Sequence, residues 1–327
     1  MKLSIIGAGT MGSVYANNVA KMPGVQPAGV CDLDESRARM AADVCGTNAY
    51  TSVDDMLAAE QPDVVCVCLP TYLHKEYVLK LAAQGIHVIC EKPIALNAED
   101  AKEMQEACER SGVRLFIGHV VRFFPNYVDA LKRAHSGHIG KAGMMHLKRY
   151  GSYPQGFDGW YADMGKSGGV VMDLMIHDID FACAAMGKPE SVFAKISRAE
   201  GMDYAQVTLK FSEGRMASLT AFWGYPGPFT TQFEIVGTQG VVRFDSNAIQ
   251  SLDIKVKASE AEAGEAVQVP SSPANHDPYY YEVKHFIECI QSGEQAIVTA
   301  DDARLAVAVA LAAEQSNKLG QPVEVSI

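Results

Sequence analysis

The sequence predicts an α/β protein in two parts: a doubly wound parallel sheet, then an α+β domain with a large, open, mostly antiparallel sheet. Three observations predict it. Short apolar runs alternate with helix-patterned stretches from residue 1 to about 118. Strands with two-residue alternation dominate beyond about residue 122. A glycine-rich loop joins the first apolar run to the first helix. Uninterrupted apolar runs suit strands covered on both faces, and strict alternation suits strands with one wet face.

The first-part strands are "LSII", "AGVC", "VVCVCL", "IHVIC" and "RLFIG", separated by helical patterns such as "SVYANNVAKM" and "AEDAKEMQEACERSG". In the second part Ala205, Val207, Leu209 and Phe211 alternate with Gln206, Thr208 and Lys210, and "RMASLTAFW" follows. "VGTQGVVRF", with Gly237 and Gly240, reads as a hairpin. "HSGH" at 135–138 reads as a loop, as does the acidic, Ser- and Ala-rich stretch 258–276. A last helix has Thr299 as its N-cap and Gly320 past its end. The domains implied are 1–120, for a dinucleotide, and 121–327, for substrate and oligomer contacts, with the final helix 299–319 able to pack back on the first.

At 327 residues the chain is about twice a typical domain of roughly 150. A net charge of −11 argues against nucleic acid or an anionic membrane as partner. No stretch reaches the ~18 apolar residues of a membrane span, and Met1-Lys2 leads straight into a strand-like run, so a cytoplasmic protein is expected. The eight cysteines lack a paired CxxC pattern and read as reduced core thiols.

"IIGAGTMG" places Gly7, Gly9 and Gly12 between a strand and a helix. Glycines permit the tight turn and let backbone approach a pyrophosphate, whose charge the helix N-terminus favours. The plain alternative is a glycine turn without ligand. Asp32, 20 residues past Gly12 at the end of the second strand, suits hydrogen bonds from the adenosine ribose and disfavours a 2′-phosphate. NAD is therefore the expected cofactor. Arg37 and Arg39 keep NADP open.

In "IHVICEKPIAL", Pro93 biases Lys92 toward an extended conformation at a strand exit, a place to aim a side chain. In "SGGVVMDLMIHDIDFACAAMG", Asp173 and His177 are four apart and share a helix face, with Asp180 three further on. Alone, such a pair is better read as a structural Asp–His contact, and two ligands without a third make no metal site. A dinucleotide half, an aimed lysine and a helical Asp/His pair together point to dehydrogenation. An alcohol losing hydride must also lose a proton to a base, for which histidine is suited, while lysine steadies a developing alkoxide.

"GAGTMG", "CLPTYLH" (68–74), "CEKP" (90–93), "RFFP" (122–125), "GHIGK" (137–141), "SGGVVMDLMIHDID" (167–180) and "EIVGTQG" (234–240) resemble, in order and spacing, the Gfo/Idh/MocA family, which includes glucose-fructose oxidoreductase and inositol dehydrogenases. The resemblance spans essentially the whole chain. It implies a Rossmann domain, a C-terminal open-sheet domain, and NAD(P)-dependent oxidation or reduction of a sugar, inositol or related polyol. It further implies that Lys92 sits near the nicotinamide and substrate hydroxyl, with Pro93, often cis in relatives, fixing its direction. His177 would be the proton acceptor and Asp173 its substrate-binding companion. Cofactor contacts are implied for Gly7, Gly9, Thr10, Met11, Gly12, Asp32, Pro70, Thr71, His74 and Glu91. Many relatives carry histidine where this chain has Tyr15, a departure that bears on substrate and cofactor preference. Arg122, Tyr127, Trp160 and Tyr280 suit a hydroxyl-rich ring, and each reads equally well as a packing or interface residue. Relatives often pair sheets face to face, so a homodimer or homotetramer is expected.

Three functions remain open on the sequence. One is a polyol or sugar dehydrogenase. Another is a family member that retains NAD without net turnover, of glycosidase or transhydrogenase type. The third is a non-catalytic dinucleotide-binding regulator, against which the intact Lys92, Asp173 and His177 set argues.

Overall fold

In a computed structural model of the protein, which describes residues 1–248 and 276–326, the chain forms two compact units. Along the chain the first unit runs β1 (Lys2–Ile6), α1 (Thr10–Val19), β2 (Gln26–Cys31), α2 (Glu35–Cys45), β3 (Ala49–Tyr50), α3 (Val53–Glu60), β4 (Val64–Val67), α4 (His74–Ala83), β5 (His87–Glu91), α5 (Ala98–Arg110) and β6 (Leu115–Gly118). Then come α6 (Pro125–His135), β7 (Ala142–Gly151), α7 (Met164–Ser167), α8 (Ile176–Met186), β8 (Ser191–Ala199), β9 (Met202–Lys210), β10 (Met216–Trp223), β11 (Thr230–Gly237) and β12 (Val241–Asp245). The chain closes with α9 (Pro278–Ser292), α10 (Ala300–Leu319) and β13 (Val323–Glu324).

The first sheet is parallel throughout, in the order β3-β2-β1-β4-β5-β6. Its central strand β4 is buried at every position, as an all-apolar run requires. Side-chain caps start the covering helices: Asp34 on α2, Ser52 on α3 and Asn97 on α5 each accept a backbone N–H of the first turn. The strand order reverses between β1 and β4, and the carboxyl ends of strands at such a switch point are where open α/β sheets bind ligands.

The second sheet has the order β12-β11-β7-β10-β9-β8-β13. Only β7 and β10 pair in parallel, and every other neighbouring pair among the described residues is antiparallel. Alternation sets its faces. Leu147, Arg149, Ala205, Val207, Leu219, Ala221 and Phe233 are buried on one side, and Lys148, Tyr150, Tyr204, Thr208 and Phe222 are half-exposed on the other. The expected hairpin is β11–β12, paired from Val236 opposite Val241. The stretch 258–276, read as a loop, lies outside the described residues except for His276.

A contiguous division after residue 120 does not describe the units. The first takes in Met1–Phe123 and also a later stretch that carries α9 and ends at Arg304; the second begins at Phe124 and includes the chain from Leu305. Apolar burial draws α9 to the first sheet. Phe286 stacks on Phe116 with ring centroids 4.8 Å apart and meets Phe123 edge-on at 5.8 Å. α10 begins as expected: Thr299 Oγ1 accepts the Asp302 N–H at 3.1 Å, and the Asp302 carboxylate accepts the Thr299 N–H at 2.9 Å, a reciprocal capping box. No disulfide is present among the described residues. No helix among the described residues is long and apolar enough to cross a membrane.

Candidate active site

In the first unit the predicted residues gather at the carboxyl ends of β1, β2, β4 and β5. Gly7 has φ +90°, and a Cβ there would lie 2.5 Å from the Cys68 carbonyl oxygen. A Cβ on Gly12 would overlap the Gly7 carbonyl oxygen, whereas nothing lies within 4 Å of one on Gly9. Two glycines are thus required for the turn itself, and the third leaves open room against the backbone. No side chain caps α1, so its first-turn N–H groups remain for an anion. This cradle fits a dinucleotide pyrophosphate.

Asp32 is tied to the same loop. Its Oδ2 accepts the Ala8 N–H at 2.7 Å, and its Oδ1 accepts the Asp34 N–H at 2.9 Å. The Arg37 guanidinium donates to Oδ1 at 3.0 Å. Arg37 is therefore Asp32's counter-ion, and Arg39 turns outward to Glu35 at 2.5 Å. The Asp32 carboxylate is thus held in place by the glycine loop.

Beyond β4, Pro70 precedes a short 3₁₀ turn (Thr71–Leu73) that leads into α4. His74 opens that helix with no exposed surface. Burial pushes its pKa down, and the Lys92 ammonium acts in the same direction. Beyond β5, buried Glu91 accepts the Lys92 N–H at 3.2 Å, Lys92 is half-buried, and the Lys92–Pro93 peptide is cis. Arg122 is half-buried in the turn Val120–Phe123. Tyr280 is 6% exposed on α9 and stacks on His276 at 3.9 Å.

In the second unit, Asp173 and His177 sit on one continuous helical segment, with a local difference from the regular α-helix the spacing suggests. Residues Val171–Met175 form a π-helical turn that runs into α8. Wider turns still keep positions four apart on neighbouring faces, and π turns recur at functional sites. Asp173 is 9% exposed and His177 is half-buried. Two consecutive left-handed glycines, Gly168 (φ +70°) and Gly169 (φ +72°), feed this helix. The Asp203 carboxylate of β9 then accepts the Val170 N–H at 2.9 Å.

Beside His177, Asp178 anchors the helix. Arg149 of β7 donates to it through Nε at 3.0 Å and Nη2 at 2.8 Å, and both side chains are nearly sealed, at 3% and 1% exposure. Burial opposes the guanidinium charge, but the Asp178 carboxylate outweighs it, so the Arg149 pKa is raised. Nη2 also reaches the Tyr127 hydroxyl at 3.3 Å. Tyr127 is 2% exposed among Phe181, Phe233 and Phe244, which makes it a packing position. Trp160 is 8% exposed and stacks on Tyr161 at 3.9 Å.

Sequence reasoning missed Arg149, Asp178, Asp203 and Glu282. Glu282 is fully buried on α9, where its Oε2 accepts the Tyr15 hydroxyl at 3.2 Å; burial, with the Glu91 charge adding to it, pushes its pKa well up. A signal existed, since Glu282 is three past Tyr279 and four before Phe286, on the apolar face of the helix.

Residues 1–119 match the family model described as oxidoreductase family, NAD-binding Rossmann fold, and residues 127–243 match the GFO/IDH/MocA C-terminal domain. The chain belongs to the Gfo/Idh/MocA oxidoreductase family. The chain is 29% identical to the myo-inositol 2-dehydrogenase of Thermotoga maritima, over 97% of its own length and 96% of that protein's. It is 32% identical to the 2,7-anhydro-N-acetylneuraminate hydratase of Mediterraneibacter gnavus, over 74% of its own length and 66% of that protein's. The crystal structure of myo-inositol 2-dehydrogenase from Lactobacillus plantarum superposes with a TM-score of 0.84 at 25% identity, covering 100% of this chain and 99% of that one. The first sheet is the Rossmann sheet of the family, and the second is its open C-terminal sheet.

Proposed function

We propose that the chain is an NAD-linked dehydrogenase that interconverts a ring hydroxyl and a ketone on an inositol, a sugar or a related polyol. The observation that carries this reading is that a chain with a glycine cradle at the switch point of its sheet also presents Asp173 and His177 on one helical segment. Gly7, Gly9, Thr10, Met11, Gly12, Asp32, Pro70, Thr71 and Glu91 would hold the dinucleotide. When bound, NAD supplies the acceptor for the hydride that leaves the carbinol carbon. The protein's own residues handle the proton and the charge. His177 takes the hydroxyl proton, Asp173 orients the neighbouring hydroxyl by accepting a hydrogen bond, and the Lys92 ammonium lowers the energy of the developing alkoxide. Arg122, Trp160 and Tyr280 would contact the polyol ring.

The likeness to a hydratase favours one second reading, in which NAD is oxidised and reduced within each cycle and no NADH accumulates. One assay separates the two. The protein is mixed with NAD or NADP and a panel of inositols, aldoses and keto-sugars, while nicotinamide absorbance and carbohydrate products are followed together. NADH rising with one ring polyol supports the dehydrogenase. Product without NADH supports the second reading, and neither outcome on any substrate sinks both.

The same reading includes self-association through the second sheet and work in the cytoplasm, where the eight cysteines stay reduced. The half-exposed face carries an aromatic group in which Phe222 meets Tyr150, Tyr204 and Tyr225 at centroid distances of 5.9, 5.6 and 6.1 Å. Phe222→Lys is expected to shift a dimer or tetramer to a smaller species in light scattering. An unchanged mass for this variant rules out this face.

A further inference from the structure

Two main-chain segments leave the carboxyl ends of neighbouring strands in the first unit. One, from β4, carries Leu69, Pro70 and Thr71; the other, from β5, carries Lys92 and Pro93. A single side chain joins them. The Nε2 of His74 lies 2.8 Å from the Leu69 carbonyl oxygen, and its Nδ1 lies 2.9 Å from the Pro93 carbonyl oxygen. The ring has no exposed surface. A carbonyl oxygen only accepts, so the neutral ring that burial favours donates one hydrogen bond to one of the two carbonyls at a time, and both contacts are hydrogen bonds only when the ring carries a second proton. Among side chains of this size, imidazole can offer N–H groups at two separated ring positions, whereas a phenyl ring fills the volume and offers none.

This geometry is not that of a residue turned toward a ligand. We propose that His74 is a positioning residue: by tying the Leu69 carbonyl to the Pro93 carbonyl it fixes the backbone from which Lys92 projects. The inference rests on the role given to Lys92 under the proposed function. The main chain beside a charged side chain sets its reach, and a displacement of about 1 Å at a reacting centre costs up to ~10²-fold in rate. Asp32 and the glycine cradle lie on β2 and the β1–α1 turn, outside this tie, whereas Pro70 and Thr71 lie within it, so dinucleotide affinity is expected to fall less than turnover.

The test compares His74→Phe, which keeps ring volume and removes both ring nitrogens, with His74→Gln, which restores an amide donor, and with Lys92→Ala. Three properties are read: NAD dissociation constant, melting temperature, and kcat for myo-inositol oxidation. In the cofactor-free protein, the resonance of ¹³C-dimethylated Lys92, assigned through Lys92→Arg, is also recorded. The expected result is that His74→Phe binds NAD within about threefold of the parent, loses about 10- to 100-fold in kcat, and shifts the Lys92 resonance. His74→Gln should recover much of both. A purely structural role would instead lower melting temperature and NAD affinity together and leave the Lys92 resonance in place. An unshifted resonance in a folded His74→Phe, or a parental kcat beside an inactive Lys92→Ala, overturns the inference. Full turnover in Lys92→Ala overturns the catalytic reading of Lys92 itself, and the resonance then decides the tie alone.

Discussion

Replacing His177 by alanine is expected to lower kcat by about 10²–10⁴-fold, the range that a positioned general base contributes, and to leave the NAD dissociation constant within about threefold of the parent. The two effects separate because the residues proposed to hold the dinucleotide lie at or after strand ends of the first unit, whereas His177 stands on α8 of the second. Kinetics against pH sharpen the test. When a base must be free to accept the hydroxyl proton, kcat/KM for oxidation climbs with pH through that base's titration, and the alanine variant loses that limb of the profile. Asp173→Asn keeps a hydrogen-bonding side chain in the π turn and is expected to raise KM more than it lowers kcat. A His177→Ala protein that turns over at the parental rate would remove histidine from the chemistry and leave Lys92 as the group to examine.

Breaking the Arg149–Asp178 pair is the largest stability loss expected from a single substitution. Arg149→Met leaves a carboxylate at 1% exposure without its guanidinium partner, and such a loss costs about 3–5 kcal/mol, enough to remove a fifth or more of the ~5–15 kcal/mol that holds an ordinary domain. Urea unfolding followed by fluorescence measures it. Arg149→Met combined with Asp178→Leu should recover most of the loss, because two apolar groups of similar volume leave no buried charge behind. A single-variant cost below about 1 kcal/mol, the level of exposed ion pairs, would show that the pair is solvated in solution.

The parts of the fold that were legible in the sequence are those governed by local chemistry. β4 and β5 are apolar because both faces are covered, Gly7 and Gly12 are glycines because a Cβ would strike a carbonyl oxygen, and Thr299 caps α10 because the first-turn N–H groups need an acceptor. Long-range choices left weaker marks. The apolar face of α9 announces a helix that packs, but nothing in its pattern names the sheet that receives it. Arg149 sits in "HLKRYG", where alternation alone cannot say that an arginine points inward; its partner is 29 residues away. The stretch 170–176, apolar but for Asp173, carries no marker for a π turn, since the difference from an α turn lies in hydrogen-bond register. Tyr127 was read as equally a ring contact or a packing residue, and its place became visible only with the phenylalanines around it.

The return of α9 has a consequence for how the protein is made. Tyr15 and Glu282, which meet through a hydrogen bond, are 267 residues apart in the chain, and Phe116 waits for Phe286. During synthesis the first sheet emerges early, yet the helix that covers Phe116 leaves the ribosome only after β7 to β12 of the second sheet have been threaded out. At about 5–20 residues per second, the intervening stretch keeps that apolar surface open for some ten to thirty seconds. Nascent chains of this protein therefore pass through a long interval in which a chaperone, or another copy of the chain, can take the place of α9.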